Sequence, residues 1–205
     1  VVSKIAKERD NSLVIPSEDD VVIEKSNLFG TEFIYKNKKY NVTMSGFHQV
    51  KNMTCVIEAS HILSRCFDIS YDNIFNGIAK TILPARVEIL NRNPLVILDG
   101  GHNEDGAKAF YNAVKDEFSK HDKVVVVAGM MADKAVEESL KPLISSCSEF
   151  IAVTPENPRA MSCDELKNIA IKYCDNSISI ESPVDAVEKA LRELNENDML
   201  CVVGS

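Results

Sequence analysis

Leu95-Val96-Ile97-Leu98 is a short apolar run, and Asp99-Gly100-Gly101-His102-Asn103 follows it at once. The run predicts a buried strand over 95–98, and the periodic sequence beyond it predicts a helix over about 103–119. An acid, two glycines, an imidazole and an amide therefore stand where a strand hands over to a helix. In an open α/β sheet this is where ligands bind, beyond the carboxyl ends of the strands. Gly100 and Gly101 allow close backbone approach, free N–H groups at the helix start attract anionic oxygens, and His102 adds a donor that can carry charge. Asp99 can accept from ribose hydroxyls or a substrate ammonium, or hold a magnesium-bound water. The alternative is plainer: Asp99 and Asn103 are turn and cap residues, and the glycines simply make the bend.

Some chemistry is excluded. Gly100-Gly101 followed by Gly106 lacks the G-x-G-x-x-G spacing of dinucleotide-binding turns, and no G-x-x-x-x-G-K-[ST] loop occurs in the 205 residues. Linear spacing supports no Ser-His-Asp or Cys-His arrangement, so nucleophilic catalysis has no basis here. His48 reads as a helix-start or hinge contact or as a catalytic group, and His61 and His121 as structural or solvent-facing.

The elements that must position the 99–103 turn alternate regularly from Arg86 onward. Strands are expected at 95–98, 123–128, 149–153, 177–180 and 199–203, with helices at about 103–119, 133–146, 162–174 and 183–195. Such alternation predicts an α/β fold, a Rossmann-like, mostly parallel sheet with right-handed crossovers and helices on both faces. Ser162 with Glu165 forms a capping-box signature, and Ser182-Pro183 an N-cap with proline at the first helical position. Residues 1 to about 83 read differently. A helix over Ser3 to Arg9, short strands at 13–16 and 20–24, and a β-hairpin over 32–44 turning at Asn37 and Lys38 are expected. A helix follows Gly46, with Val50, Met53 and Ile57 on one face and Val56, Ala59 and Leu63 on the next, which predicts a mostly buried helix. A second helix is expected over Tyr71 to Ile82, capped by Ser70. A short hinge is expected near 83–86.

The formal charge of −8 argues against a general nucleic-acid binder, and the longest basic run, Lys36-Asn37-Lys38-Lys39, reads as a solvated turn. Acidity does not exclude an anionic ligand held by one Arg and a few backbone N–H groups. The six cysteines are scattered, mostly inside apolar stretches and without a C-x-x-C pair, and read as reduced core thiols of a cytoplasmic protein. No apolar run reaches the roughly 18 residues of a membrane span. The chain starts with Val1-Val2-Ser3 inside an expected helix, which suggests an excised fragment.

Three separated segments resemble the folylpolyglutamate synthase and dihydrofolate synthase family of the Mur ligase superfamily. "SGFHQVKNMTCVIEA" (45–59) resembles its G-x-H-Q-x-x-N helix. "PARVEIL…NPLVILDGGHNEDGAKAF" (84–110) resembles its G-R-x-E…DGAHN-P-x-G pattern. The third segment runs from "VAGMMADKAVEESL" through "VTPENPRAMSCDEL" to the terminal "VVGS". Order and spacing hold from about residue 10 to the end, while Ala85, Gly101 and Glu104 depart from the usual Gly, Ala and Pro.

The resemblance implies that 1–84 is the C-terminal part of a central ATP-binding domain and 85–205 the C-terminal glutamate ligase domain. It implies an ATP-dependent ligase that joins L-glutamate to the γ-carboxyl of a folate, or also to dihydropteroate, through an acyl phosphate. Gln49 and Asn52 are then expected at the adenine, Arg86 at the phosphates, Asp99 at the ribose, and His102 at phosphate or developing charge. Asp133, Lys134, Arg159 and Ser205 are candidates for glutamate. ATP and Mg2+ are the implied cofactors, with the magnesium ligands and phosphate loop mainly before residue 1. Folate and L-glutamate are the implied small-molecule partners, and a monomer, inactive as this fragment, is expected. Structural alternatives stay open: Gln49 and Asn52 as helix-start residues, Arg86 paired with Glu88 or an acid across the hinge, Asp133 as a cap with Lys134 solvated, Arg159 bracing its loop. The rival functions are another Mur ligase, acting on cell-wall peptide, and a noncatalytic α/β binding module.

Overall fold

The computed structural model describes residues 1–101, 104–132 and 136–204, with backbone alone at 104 and 105. The chain divides into two compact units, Val1–Ile82 and Leu83–Ser205.

The first unit begins with α1 (Val2–Glu8), then β1 (Val21–Asn27), β2 (Gly30–Tyr35), β3 (Lys38–Val42), α2 (Phe47–Leu63) and α3 (Tyr71–Lys80). The strands form an antiparallel sheet in chain order. Alternation along β2 and β3 places Phe33, Tyr35, Tyr40 and Val42 on one face, where they pack with Val50, Met53 and Ile57 of α2 and Ile74 and Ile78 of α3. The Phe33 and Tyr40 rings stack with centroids 5.6 Å apart, a geometry that adds about 0.5–1.5 kcal/mol to the area buried. Ser70 caps α3 in a full capping box with Asn73.

Three expectations for this unit need correction. Residues 13–16 form no strand: Leu13, Val14 and Ile15 are exposed, no neighbouring strand pairs with them, and Pro16 removes a ladder donor. The hairpin turns one residue earlier, at Lys36 and Asn37, both with positive φ, as a two-residue turn between right-twisted strands requires. Lys36 is held there by its Nζ, which donates to Glu58 Oε1 at 2.9 Å beside the Tyr35 hydroxyl. Finally, the face that α2 buries is that of Val50, Met53 and Ile57, while Val56 and Leu63 stay 45% and 49% exposed.

The second unit holds β4 (Glu88–Arg92), β5 (Leu95–Asp99), α4 (Glu104–Phe118), β6 (Val124–Gly129), α5 (Val136–Ile144), β7 (Glu149–Ala152), α6 (Cys163–Ala170), β8 (Ser177–Ser179), α7 (Pro183–Glu193) and β9 (Met199–Gly204). Sheet order is β4-β5-β9-β6-β7-β8. All neighbours are parallel except β4, which joins β5 antiparallel. Connections β5 to β6, β6 to β7 and β7 to β8 run across the sheet in one direction, and β8 to β9 returns. Right-handed crossovers then place α4, α5 and α6 on one face and α7 on the other. Register agrees: Val96, Val125, Val127, Ile151 and Leu200 pack with Ala186 and Ala190 of α7. The alternate residues, among them Ile97, Val126, Phe150 and Cys201, are also buried, on the opposite face. The Ser162 capping box and the Ser182-Pro183 start are formed as expected. The edge strand β4 was not expected, although Asn91-Arg92-Asn93-Pro94 between two apolar runs is a turn signal. Of the cysteines expected in the core, Cys163, Cys174 and Cys201 are buried, whereas Cys55 and Cys66 of the first unit are exposed.

At the amino-terminal ends of the strands, Glu149 is buried and accepts from Lys123 Nζ at 2.7 Å and Lys189 Nζ at 3.2 Å. Burial pushes its carboxyl up, but the two ammonium hydrogen bonds pull harder and hold it below the ordinary 4.5. A depressed folded value contributes stability that is complete above the ordinary carboxylate range and is lost as pH falls through the folded value. Glu149→Gln leaves Lys123 and Lys189 with only the half-exposed Glu193 as counter-charge, 3.9 and 2.8 Å away, and is expected to cost about 1–2 kcal/mol near neutral pH. In thermal melts the gap between the parent and Glu149→Gln should stay constant from neutral pH down to about pH 5 and close in stronger acid. A gap independent of pH would show that the carboxylate charge contributes nothing.

Candidate active site

The carboxyl end of β5 is tied to the segment before β4 by a closed set of hydrogen bonds. Asp99 is 6% exposed. Its Oδ2 accepts the Val87 N–H at 2.9 Å and its Oδ1 the Gly101 N–H at 2.7 Å. Gly100 N–H donates to the Ala85 carbonyl at 2.8 Å, and Ala85 N–H donates to Glu88 Oε2 at 2.8 Å. A Cβ on Gly101 would come within 2.6 Å of Asp99 Oδ1, so the bare glycine lets the carboxylate reach the backbone.

Between these anchors stands Arg86. Its neighbours Ala85 and Val87 have φ of 52° and 50°. Left-handed backbone costs an L residue on the order of 1–3 kcal/mol, and a β-branched residue such as Val87 is the least suited to it. Such a conformation survives only where the surroundings dictate it, and Val87 is itself buried. The Arg86 side chain is exposed, with Nη1 3.8 Å from where a Cβ on Gly100 would sit. Arg86 has no ion-pair partner among the described residues, and Glu88, the partner considered from sequence, is engaged with the Ala85 N–H instead. A strongly held loop thus presents a free cation at the exit of β5.

Other candidates follow the same edge. Arg159 is exposed in the loop after β7. That loop is joined to the exit of β6: Ala132 N–H donates to the Arg159 carbonyl at 2.9 Å, and Met161 N–H to the Met130 carbonyl at 2.9 Å. The structure therefore brings Arg159 beside Ala132, the residue before Asp133. At the same rim Thr154 Oγ1 and Cys163 Sγ both donate to Glu181 Oε2, at 3.1 and 3.2 Å. Burial, and then Glu181, push the Cys163 thiol above its ordinary value, in keeping with its place as a donor to Glu181. His102, Asp133, Lys134 and Ser205 lie outside the described residues.

Gln49 and Asn52 belong to the first unit, in the opening turns of α2. Gln49 is buried, its N–H donates to the Gly46 carbonyl at 3.0 Å, and Asn52 Nδ2 donates to its Oε1 at 3.2 Å. Asn52 faces solvent, so of the pair it is the one with an accessible amide. His121 Nδ1 lies 3.0 Å from the Asn197 carbonyl, a structural contact. Among the described residues no cluster of three or more His, Cys, Asp or Glu could hold a metal ion, and no helix is long and apolar enough to cross a membrane.

Glu88 escaped the sequence reading as an independent contributor, since nothing in a linear chain says that its carboxylate turns back to an amide three residues earlier.

A mostly parallel sheet, reversing its crossover direction at β9 with helices on both faces, defines a doubly wound α/β domain, the class in which ligands bind beyond the carboxyl ends of the strands. Residues 85–205 match the model of the Mur ligase, glutamate ligase domain, and the chain belongs to that family. It is 28% identical over 169 residues to the folylpolyglutamate synthase of Lacticaseibacillus casei, an alignment covering 78% of this chain and 39% of that protein. With the dihydrofolate synthase/folylpolyglutamate synthase of Escherichia coli K12 it shares 30% identity over 138 residues, 67% of this chain and 32% of that one. The structure of E. coli FolC in complex with ADP, without folate substrate, superposes with a TM-score of 0.76 at 24% identity, covering all of this chain and 47% of that one. That likeness concerns the fold. The chain spans less than half the length of these relatives.

Proposed function

We propose that the full-length protein is an ATP-dependent ligase of the folylpolyglutamate synthase type, adding L-glutamate to the γ-carboxyl of a folate. The observation that carries this is Arg86: an exposed, unpaired guanidinium on a pinned loop at the carboxyl edge of the sheet, in a chain of the Mur ligase family. ATP supplies the phosphoryl group that activates the acceptor carboxyl. Phosphoryl transfer asks mainly for positioning and charge neutralisation. Arg86 meets both needs, since a held guanidinium offers a planar fork to phosphate oxygens without first breaking an internal ion pair.

Asp99 is assigned to the loop and, through its remaining lone pairs, to a ribose hydroxyl; His102 is assigned to phosphate. Gln49 and Asn52 take the adenine side. Arg159, with Asp133, Lys134 and Ser205, takes the carboxylates and ammonium of incoming glutamate. The first 84 residues act as the end of the ATP-binding domain, and magnesium ligands and the phosphate loop belong to the rest of the full-length protein. The 205 residues alone are then inactive, and the enzyme works as a cytoplasmic monomer. Addition of glutamate to dihydropteroate is a second acceptor reaction open to the same site.

The test is glutamate-dependent ADP release by the full-length enzyme with tetrahydrofolate monoglutamate, dihydropteroate or a muramyl-peptide precursor as acceptor. Release is expected with the folate and at least 100-fold less with the muramyl peptide, because a site built to pair one acceptor's polar groups leaves them unpaired with another. Turnover of the muramyl peptide alone would make the protein a cell-wall ligase. No ADP release with any acceptor would leave the binding-module reading.

A further inference from the structure

We propose that Glu88 is a positioning residue for Arg86: it holds the arginine's loop by accepting a backbone N–H and leaves the guanidinium free for a ligand anion. The proposal rests on the reading of Arg86 as the group that meets nucleotide phosphate.

Both residues flanking Arg86 lie near φ +50°. Left to itself an Ala-Arg-Val segment relaxes to ordinary extended or helical backbone, so the loop must be held from outside. Three hydrogen bonds hold it: Glu88 Oε2 on the Ala85 N–H, the Gly100 N–H on the Ala85 carbonyl, and Asp99 Oδ2 on the Val87 N–H. The last two come from the end of β5. Glu88 is the one local side chain in the set, and its backbone is fixed because it pairs with Leu98 in the first register position of β4. An acid two residues from an arginine could simply pair with it. Here the carboxylate faces the amide instead, and Arg86 keeps its charge unneutralised beside Gly100. Glu88 thereby fixes the direction from which Arg86 approaches the strand exit and, by turning away, preserves its affinity for an anion.

The roles separate in a double-mutant cycle on the full-length enzyme, read as kcat and KM for ATP. Glu88→Ala is expected to lower kcat/KM about 10-fold while Glu88→Gln, whose amide oxygen still accepts the Ala85 N–H, stays within about twofold of the parent. In an Arg86→Ala background Glu88→Ala should cost nothing further, because it acts through the missing guanidinium. Equal damage from Gln and Ala, or an undiminished effect of Glu88→Ala without Arg86, would overturn the proposal. A silent Arg86→Ala would instead overturn the phosphate reading of Arg86. The brace is then judged by hydrogen exchange at the Ala85 amide, which should quicken in Glu88→Ala and not in Glu88→Gln; an Ala85 amide indifferent to both would refute it.

Discussion

Arg86→Ala in the full-length protein is expected to reduce glutamate-dependent ADP release on the order of 100-fold, with a melting temperature unchanged within about a degree. In the proposed function Arg86 is a charge-assisted donor to transferring phosphate, and removing one such donor typically costs 10²–10³ in rate. The indifference of stability follows from the exposure of the side chain and from its lack of an ion-pair partner among the described residues. Removing it should also leave the loop itself in place, since every hydrogen bond that pins the loop runs through the backbone of Ala85 and Val87 or through Asp99, Glu88 and Gly100. Arg86→Lys is the informative companion: it restores charge but not the planar fork, and should recover only part of the loss. Full activity of Arg86→Ala, or lost activity accompanied by an equal loss of melting temperature, would remove the arginine from the reaction.

Gly204→Ala is expected to destabilise the second unit by about 3 kcal/mol. At this position β9 meets β6 with Gly204 opposite Gly129, and the backbones approach so closely that a Cβ would lie 1.7 Å from the Gly129 carbonyl oxygen. The φ of 106° is itself outside the range of L side chains, so neither rotation nor a small shift relieves the overlap. Relief requires the carboxyl ends of β6 and β9 to part, which loses ladder bonds and uncovers Val203, buried at the same edge. The measurement is thermal or denaturant unfolding with hydrogen exchange at the β9 amides. An unchanged melting temperature with lost protection only at Gly204 would mean that the strand end peels away at no global cost.

What was legible in advance followed from local rules. The parallel strands could be found because β5, β6, β7 and β9 are mostly apolar runs bounded by turn or cap signals, and β8 falls in a Ser-Ile alternation. Helix starts could be found because Ser70, Ser162 and Ser182 have the side chains that satisfy a helix's first N–H groups, and all three do so in the structure. Where partners were needed, sequence misled: Leu13-Val14-Ile15 has strand composition but joins no sheet, and the second apolar face of α2 stays about half exposed. The hairpin turn was displaced because Lys36 adopts a conformation that its residue type disfavours, with Glu58 of α2 holding its ammonium.

The candidate site divides along the same line. Sequence alone determined the kinds of group present at the end of β5, because Arg86, Asp99 and Gly100 in that order and spacing are a property of the chain. It did not determine what those groups face. Only the tertiary structure turned the Asp99 and Glu88 carboxylates onto backbone amides of Val87 and Ala85 and left Arg86 without an ion-pair partner among the described residues. The physical reason is that a hydrogen bond depends on distance and direction in space. Linear spacing fixes these within a helix or across a two-residue turn, but not between a strand's end and a segment that an edge hairpin folds back beside it.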